Sequence, residues 1–459
     1  MKIFGSIFLV TWLFVQAQAQ DTTRLSLLFL GDIMQHDSQI SDAFDPTTRR
    51  YQYGPCFQFV KPYIQSADLA IGNLEVTLAG VPYKGYPQFS APDELVYTLK
   101  EIGMDALVTA NNHCVDRGKK GLERTIDVLD SIGILHTGTF VDDAARLNDY
   151  PLILQKNGFK LALLNYTYGT NGLPVYKPNV VNRIDTTQIR EDLGQARKLK
   201  PDAVIVFMHW GTEYQSLPNK SHVDLAEFCF DHGAQLVIGA HPHVIQPMAW
   251  RKSKNQLVAY SLGNFVSGQR KRYTDGGSMI RVELEKIAWS SDSAVTTIDS
   301  AGYILEWVYR TVDSKKDYYI LPVPDFENDT TNFIRDAVSL SALKTFVKDS
   351  RDLFLKNNIA LVEWSGKPDE KDVSYRVMFM KVPDATDPSD RTWNIYPPLP
   401  VYELTDQKDE TGSRMIFSGD FKHKKEAERH CEKLRTSGAK DAVVVKFVEG
   451  VPAAGSRAE

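Results

Sequence analysis

The feature that most limits how this chain can fold is a series of short apolar runs, each followed by residues able to bind a metal ion or transfer a proton. Uninterrupted apolar runs bounded by glycine are typical of strands buried in a parallel sheet. Helical patterns separate several of these runs, so we predict an α/β fold. Strand ends meet at the carboxyl edge of such a sheet, where ligands bind. The polar endings expected there are Asp32, Glu75, Asn112, His209, His241 and His243.

The stretch from Asp105 to Gly118, DALVTANNHCVDRG, joins an apolar run to a polar turn ahead of a helical pattern. In that turn Asn112 offers a neutral oxygen ligand, and His113 can carry a proton or a ligand bond. Asp116 is placed to fix the ring of His113. A helix cap beside one hydrogen-bonded histidine would give the same pattern, because asparagine and aspartate are common caps.

The mixture of oxygen and imidazole ligands in this set indicates metal binding. Carboxylate and amide oxygens suit hard divalent cations, whereas imidazole favours zinc, iron, nickel or copper. A mixed set therefore suits two divalent ions such as Mn, Zn or Fe. Two ions about 3.5–4 Å apart would polarise a phosphoryl group and activate a water molecule.

Composition and charge exclude several other classes of protein. The formal charge of −5 over 459 residues gives no indication of nucleic-acid binding. The four cysteines are widely spaced and form no C-x-x-C pair, which excludes a zinc ribbon and argues against a disulfide scaffold.

Residues 1–19 have the pattern of an export signal. Lys2 supplies the positive charge, Ile3 to Val15 is a short apolar run, and residues 17–19 read Ala-Gln-Ala, as at a cleavage site. We predict an exported protein, periplasmic or associated with the cell envelope, that begins at Gln20. No later stretch has the length of a transmembrane helix.

Six ordered motifs resemble those of the CapA family, a branch of the calcineurin-like metallophosphatases associated with poly-γ-glutamate capsule synthesis. The motifs are GD at 31–32, NLE at 73–75, NNHCVDRG from 111, HWGTEY from 209, GAHPHVIQ from 239 and YSLGNF from 260. The resemblance implies a four-layer α/β/β/α metallophosphatase sandwich around a di-metal centre, and we predict this domain over residues 24–325.

The resemblance also implies a role for each residue of the set. Asp32 and His243 would bind the first metal, and Glu75 would bridge both metals. The implied ligands of the second metal are Asn112, His209 and His241. His113 would be the general acid, oriented by Asp116.

The first motif departs from the D-x-H pattern of ordinary metallophosphatases, because Asp32 is followed by Ile33 and Met34. His36 could reach back to serve as the missing ligand, or it could be a surface residue. Without it, the chain could hold one metal tightly and the other weakly.

Further residues are candidates for contact with an anionic substrate. Asn73, Glu213, Tyr214 and Asn264 are predicted to line the pocket, although Glu213 would serve equally as a solvated loop charge. The basic stretch GQRKR, residues 268–272, would suit an anionic substrate. A solvated loop is the alternative for that stretch.

The rest of the chain reads as a helical segment and charged linker, 326–372, followed by a separate unit, 373–450. That unit resembles a SPOR-type domain, a small α+β fold with βαββαβ order that binds peptidoglycan glycan strands. Its first half departs from the family, because residues 383–398 are proline-rich where a helix is expected. His423 and His430 are interpreted as surface residues.

These observations predict an exported CapA-like protein of capsule-polymer synthesis with a metal-dependent, phosphoesterase-like hydrolase site. Its expected partners are a phosphoester or an anionic polymer, with peptidoglycan as a further partner of residues 373–450. Two alternatives remain open. The site could act on a γ-glutamyl amide, or the protein could bind an anionic polymer or peptidoglycan without catalysis.

Overall fold

The structure is a computed structural model, and it describes part of the chain. The described residues are 21–290, 293–312, 317–328, 332–364, 373–382, 404–408, 414–421, 424–436, 439–448 and 451–457. The predicted export signal, the linker at 366–372 and the proline-rich segment at 383–398 lie outside them.

The chain divides into two compact units. The larger unit comprises the described residues up to Val60 together with Ala67–Ser365, and the smaller comprises Lys61–Ser66 and the described residues from Gly366 onward.

Strands dominate the chain before residue 366. In chain order they are β1 (Asp21–Ile33), β2 (Phe44–Asp45), β3 (Arg50–Tyr51), β4 (Leu69–Leu74), β5 (Ala106–Val108), β6 (Leu135–Thr137), β7 (Thr139–Phe140), β8 (Leu152–Lys156), β9 (Phe159–Thr167), β10 (Val180–Val181), β11 (Ala203–His209), β12 (Leu236–Ala240), β13 (Met248–Arg251), β14 (Gln256–Ala259), β15 (Asn264–Val266), β16 (Gly276–Ser290), β17 (Ser293–Arg310), β18 (Tyr318–Pro322) and β19 (Val362–Glu363).

Helices alternate with these strands. In chain order they are α1 (Asp37–Ala43), α2 (Gly54–Phe57), α3 (Lys61–Gln65), α4 (Glu94–Glu101), α5 (Gly118–Ile132), α6 (Asp143–Asp149), α7 (Thr186–Lys198), α8 (Lys220–Asp231), α9 (Val323–Phe326) and α10 (Ala337–Asn357).

The larger unit contains two main sheets. The first has the strand order β18-β17-β16-β1-β4-β5-β6, with β15 beside β1 and β19 beside β17. Strands β1, β4, β5 and β6 run parallel, so their carboxyl ends lie at one edge. The second sheet has the order β13-β14-β12-β11-β9-β8, and β9, β11, β12 and β14 run parallel within it.

The two sheets pack face to face around a shared apolar core. Phe29 of β1 and Phe207 of β11 both lie in this core and are fully buried. On its other face, the second sheet packs against α7 and α8 through residues such as Leu193 and Cys229. On the side of the first sheet, α4 packs against α5, and α5 contacts β6 and β7. The layer order is α/β/β/α, as predicted.

The segment LVAYSLGNF, residues 257–265, contributes to two strands in different sheets. Strand β14 ends at Ala259 in the second sheet, whereas β15 begins at Asn264 in the first sheet. Gly263 makes the crossing possible because it adopts a φ of 74°, which a glycine tolerates without strain. The crossing places Asn264 opposite Asp32 in the strand register.

The smaller unit contains a sheet of antiparallel strands with the order β21-β22-β20-β23-β24. The strands are β20 (Val373–Val382), β21 (Leu404–Lys408), β22 (Arg414–Phe421), β23 (Val443–Val448) and β24 (Val451–Arg457). One helix of this unit, α11 (Lys424–Thr436), packs on β20 through Ala427, Cys431 and Leu434. The SPOR-like identity of this unit and its peptidoglycan binding stay predictions.

The interpretation of His430 as a surface residue is wrong. Its side chain is buried on the inner face of α11, and its Nε2 atom lies 2.9 Å from Ser418 Oγ of β22. His423 lies outside the described residues.

Within the described part of the chain, none of the helices is both long and apolar enough to cross a membrane.

Candidate metal centre

Strand ends from both sheets meet in one buried cluster. Asp32 lies near the end of β1, and Glu75 directly follows β4 in the first sheet. His209 ends β11, and His241 and His243 follow β12 in the second sheet. All five side chains are buried. The structure therefore brings these five side chains together, and their roles as metal ligands stay predictions.

The cluster contains two groups of side chains that could each hold a metal ion. One group is Asp32, Glu75 and His243, and the other is Glu75, His209 and His241. Within each group the ligand atoms lie within 4.8 Å of one another. Glu75 belongs to both groups, which is the position of a bridging ligand.

Two buried atoms of the cluster have no hydrogen-bond partner among the described residues, and both are potential metal ligands. They are Glu75 Oε1 and His241 Nδ1. Glu75 Oε1 lies 3.6 Å from His209 Nε2 and 3.9 Å from His243 Nε2. Unpartnered buried polar atoms are costly, so a bound cation is a natural partner for them. The residues present fit a metal site.

The electrostatics of the cluster also suit a cation. Burial, followed by the nearby Asp32 carboxylate, raises the pKa of Glu75 well above its ordinary value. Burial, followed by the neighbouring imidazoles of His241 and His243, lowers the pKa of His209 well below its ordinary value. Burial lowers the pKa of His241 to about 3. Histidines held neutral are ready to bind a metal, and a cation would offset the raised pKa of Glu75.

Asn112 joins the second of these groups. Its side chain is 1% exposed, and its Oδ1 atom lies 2.8 Å from His209 Nε2. The amide oxygen therefore faces the group of Glu75, His209 and His241, as the predicted ligand role requires.

Asn73 lies behind the ligands rather than in an open pocket. Its Nδ2 atom donates to Asp32 Oδ1 at 2.8 Å and to Glu75 Oε2 at 3.4 Å, and it lies 3.3 Å from His209 Nδ1. The side chain has no exposed surface. Asn73 therefore orients three ligand side chains, and the prediction that it contacts substrate does not match this position.

Asn264 also supports a ligand. Its Oδ1 atom lies 3.1 Å from His243 Nδ1, while its Nδ2 atom donates to the Thr274 carbonyl at 2.9 Å. The side chain is fully buried. Asn264 thus orients the His243 ring, and the prediction of a substrate contact is not met here either.

The backbone around the two histidines after β12 is strained. His241 has a φ of 99° and His243 a φ of 57°, values that non-glycine residues rarely adopt. Such strain costs on the order of 1–3 kcal/mol per residue and is concentrated at functional sites. The His241 backbone N–H points at Asp32, 3.3 Å from each carboxylate oxygen.

His113 and Asp116 form a buried pair beside the cluster. His113 Nδ1 lies 2.8 Å from Asp116 Oδ2, which also accepts a hydrogen bond from the Phe89 backbone N–H at 2.7 Å. The Phe89 ring stands edge-on to the His113 ring at 4.7 Å. These contacts fix the imidazole and leave its Nε2 atom for proton transfer, as the predicted general acid requires.

His36 belongs to neither ligand group. Its Nδ1 atom accepts a hydrogen bond from the Gly268 backbone N–H at 3.1 Å, and its ring stands edge-on to Phe89 at 5.4 Å. It is partly buried rather than fully exposed. Met34, at the position where ordinary metallophosphatases have histidine, is buried.

His36 gives the metal-free protein a pH-dependent stability. Burial lowers its pKa to about 4, whereas the unfolded chain has a value near 6.5. The unfolded chain therefore binds the extra proton first, so this contribution is present above about pH 6.5 and is lost as the pH falls towards 4. We expect the melting temperature of chelator-treated protein to fall less steeply between pH 7 and pH 5 in His36→Gln than in the wild type. An equal fall in melting temperature in both proteins would contradict this expectation. The control is His232→Gln, which replaces a histidine directly after α8.

Two tyrosines form walls of the cluster, and one of them, Tyr214, was predicted to line the pocket. The Tyr168 ring lies 4.6 Å from the His241 ring and is nearly parallel to that of His209 at 6.3 Å. The Tyr214 ring lies 6.2 Å from that of His243. Tyr168 is 46% exposed and Tyr214 is 36% exposed, so both rings also face solvent at the mouth of the centre.

Glu213 is exposed beside Tyr214. Burial first, and the Glu213 charge second, raise the pKa of Tyr168 to about 12. The Glu213 charge therefore acts at this mouth, although its side chain is solvated.

The basic stretch at 268–272 divides into three different environments. The Lys271 ammonium lies 4.2 Å from the centre of the Tyr214 ring, whereas Arg272 pairs with Asp349 at 2.7 Å. The guanidinium of Arg270 lies over the Tyr318 ring at 5.2 Å. Of the three cations, Lys271 is the one placed next to a tyrosine of the metal centre.

Comparison with known proteins identifies the family. The family model described as Bacterial capsule synthesis protein PGA_cap matches residues 26–269, more than half of the 459-residue chain. The chain belongs to this capsule synthesis family. The resemblance to CapA proteins that the motifs suggested is confirmed.

Two curated relatives in this family come from Bacillus. Capsule biosynthesis protein CapA of Bacillus anthracis is 28% identical over 280 residues, which cover 58% of this chain and 65% of that protein. PGA biosynthesis protein CapA of Bacillus subtilis (strain 168) is 29% identical over 299 residues, which cover 61% of this chain and 75% of that protein. The match to the first of these PGA_cap relatives thus spans less than two thirds of its length.

Solved structures similar to this PGA_cap chain include two nucleotidases. The NAD nucleotidase of Haemophilus influenzae has a TM-score of 0.38 and 11% identity, with coverage of 76% of this chain and 66% of that chain. The 5'-nucleotidase from Candida albicans SC5314 has a TM-score of 0.37 and 11% identity, with coverage of 71% and 57%.

Proposed function

We propose that this chain is an exported, metal-dependent hydrolase of capsule-polymer metabolism that cleaves a phosphoester with two divalent cations, Mn, Zn or Fe. The observation that supports this most directly is the pair of buried ligand groups that share Glu75. A carboxylate shared by two ligand groups could hold two cations close together, as two-metal hydrolysis requires.

The chain's own residues would hold the two cations. Asp32 and His243 would hold one, Glu75 would hold both, and the ligands of the other would be Asn112, His209 and His241. When bound, the two cations would polarise the phosphoryl group and activate a water molecule. Asn73 would keep the ligand side chains in place.

His113 would supply the proton that the leaving group needs. Hydrolysis adds a water oxygen to phosphorus and breaks the ester P–O bond, so the departing oxygen must be protonated. The Nδ1 side of His113 is held by Asp116 at 2.8 Å, and the carboxylate would stabilise the protonated ring. After donating its proton to the leaving oxygen, His113 would regain one from solvent.

A γ-glutamyl amide is the second candidate substrate. The family model and one relative carry PGA in their names, and Lys271 places a cation beside Tyr214 near the centre. The same centre could polarise an amide carbonyl, and His113 would then protonate the departing amine.

A side-by-side assay would separate these substrates. The purified mature protein, reloaded with Mn²⁺, would be incubated with an alkyl phosphomonoester, an alkyl phosphodiester and poly-γ-glutamate, and the released phosphate, alcohol and amine would be measured. We expect turnover of a phosphoester. Turnover of the polymer alone would move the assignment to the amide. If protein that holds two metal ions turned over none of the three substrates, this result would contradict hydrolysis and favour polymer binding without catalysis.

A further inference from the structure

The amide of Asn112 is held at both of its ends. Its Oδ1 atom lies 2.8 Å from His209 Nε2, and its Nδ2 atom donates to Asn171 Oδ1 at 3.2 Å. Asn73 Nδ2 lies 3.3 Å from the other ring nitrogen of His209. The NH₂ end of the Asn112 amide therefore meets an acceptor oxygen, while its oxygen end faces a ring nitrogen of His209.

Tyr168 holds Asn171 from the outer side. Its hydroxyl donates to Asn171 Oδ1 at 3.2 Å, so this one oxygen accepts from both Tyr168 and Asn112. The tyrosine is itself anchored, because its backbone N–H donates to the His209 carbonyl at 3.0 Å. Its ring lies against His241. The three side chains thus form a short chain of hydrogen bonds from the mouth of the centre to a buried ligand.

The loop that carries Asn171 has a defined shape. A turn links Thr170 and Leu173, whose backbone N–H donates to the Thr170 carbonyl at 2.8 Å. Asn171 has a φ of 50° and Gly172 a φ of 76°. Asparagine tolerates this left-handed conformation better than most residues, which suits it to this position.

We infer that Asn171, supported by Tyr168, is a positioning residue that keeps the amide oxygen of Asn112 turned towards the metal centre. An amide rotated by half a turn would present its NH₂ group to the centre, and an NH₂ group cannot bind a cation. Asn171 blocks this rotation because its acceptor oxygen pairs with the NH₂ end. The inference rests on the proposed metal centre and concerns the ion held by Asn112, His209 and His241.

Calorimetric titration with Mn²⁺ would test this role without relying on turnover. Asn171→Gly removes the side chain and suits the positive φ, so the loop can keep its backbone shape. Residues that orient a metal ligand typically contribute about 10- to 100-fold in metal affinity. Because Asn171 is exposed and water can partly replace it, we expect a loss of about 10-fold for one ion and none for the other. Tyr168→Phe should give a smaller loss.

The decisive comparison repeats the Asn171→Gly substitution in protein that also carries Asn112→Asp. A carboxylate has an oxygen at both ends, so it needs no partner to choose its orientation. In that background Asn171→Gly should leave Mn²⁺ affinity unchanged. An equal loss in both backgrounds would mean that the loop matters only structurally, which would overturn the inference. No loss in the single variant, with two ions bound by the wild type, would also overturn it and would leave the proposed function intact. A wild type that binds no Mn²⁺ would overturn both.

Discussion

Replacing His209 and His243 together by alanine should abolish stoichiometric metal binding. Each substitution removes one imidazole from one of the two ligand groups, so Asp32 and Glu75 remain in one group and Glu75 and His241, beside Asn112, remain in the other. We expect neither incomplete group to retain its ion through purification. We expect elemental analysis of the mature wild-type protein to give about two metal ions per chain, as a two-metal centre requires. The variant should give close to none.

The matched control is His222→Ala with His232→Ala, which removes two histidines that lie in and just after α8 and in neither ligand group. This control should keep its metals. Metal content that survives the His209 and His243 substitutions would place the ions elsewhere. A wild type without metal, even after reloading, would contradict the proposed hydrolase.

His113→Ala should retain both metals and lose most turnover. A positioned general acid typically contributes about 10²- to 10⁴-fold to the rate, and the buried pair with Asp116 gives His113 the geometry for that role. We therefore expect a loss of that size in kcat for an alkyl phosphoester. Steady-state kinetics, together with elemental analysis of the same sample, would measure it.

The leaving group provides the control for His113. A p-nitrophenolate ion departs without being protonated, so a p-nitrophenyl ester should lose far less activity in His113→Ala than an alkyl ester does. Equal losses with both esters would indicate that His113 shapes the site instead of donating a proton. Unchanged turnover with the alkyl ester would remove it from the mechanism.

The positions of the candidate ligands could be predicted because each one lies at or directly after the end of a strand. Apolar runs that end in Asp32, Glu75 or His209 can be recognised from residue order alone, and parallel strands bring their ends to one edge. The layer order could be predicted from the same alternation of strands and helices together with the CapA resemblance. The strand ends that carry Asp32, Glu75 and His209 meet in one cluster of the structure, and the roles of these residues as ligands stay predictions.

The supporting residues could not be predicted in the same way. Asn73 and Asn264 also follow apolar runs, so residue order alone cannot separate a residue that contacts substrate from one that orients a ligand. The difference depends on whether the side chain lies on the substrate side of the carboxylates or behind them, and tertiary packing determines its position. The crossing at Gly263, which brings Asn264 to His243, likewise depends on how the two sheets pack.

Residue order indicates even less about the roles of Tyr168 and Asn171. Both follow the apolar run of β9, but a tyrosine has no preference for binding metal and a loop asparagine is common in turns. Their role becomes visible only when Asn112 and His209, from other strands, are placed beside them. His430 shows the same limit in the smaller unit, because this histidine lies on a strongly polar helix and is nevertheless buried beside Ser418.

The origin of the ligands in two different sheets has a consequence for how the protein is made. Asp32 and His243 are 211 residues apart in the chain, so the unfolded polypeptide cannot assemble either ligand group. Ions that bind only the folded state stabilise it by mass action, by about 1.4 kcal/mol for every tenfold rise in free metal above the dissociation constant. Metal bound at this centre would join the two sheets as a cross-link does. The amount of intact protein that accumulates would then depend on the metal supply of the compartment in which the chain folds.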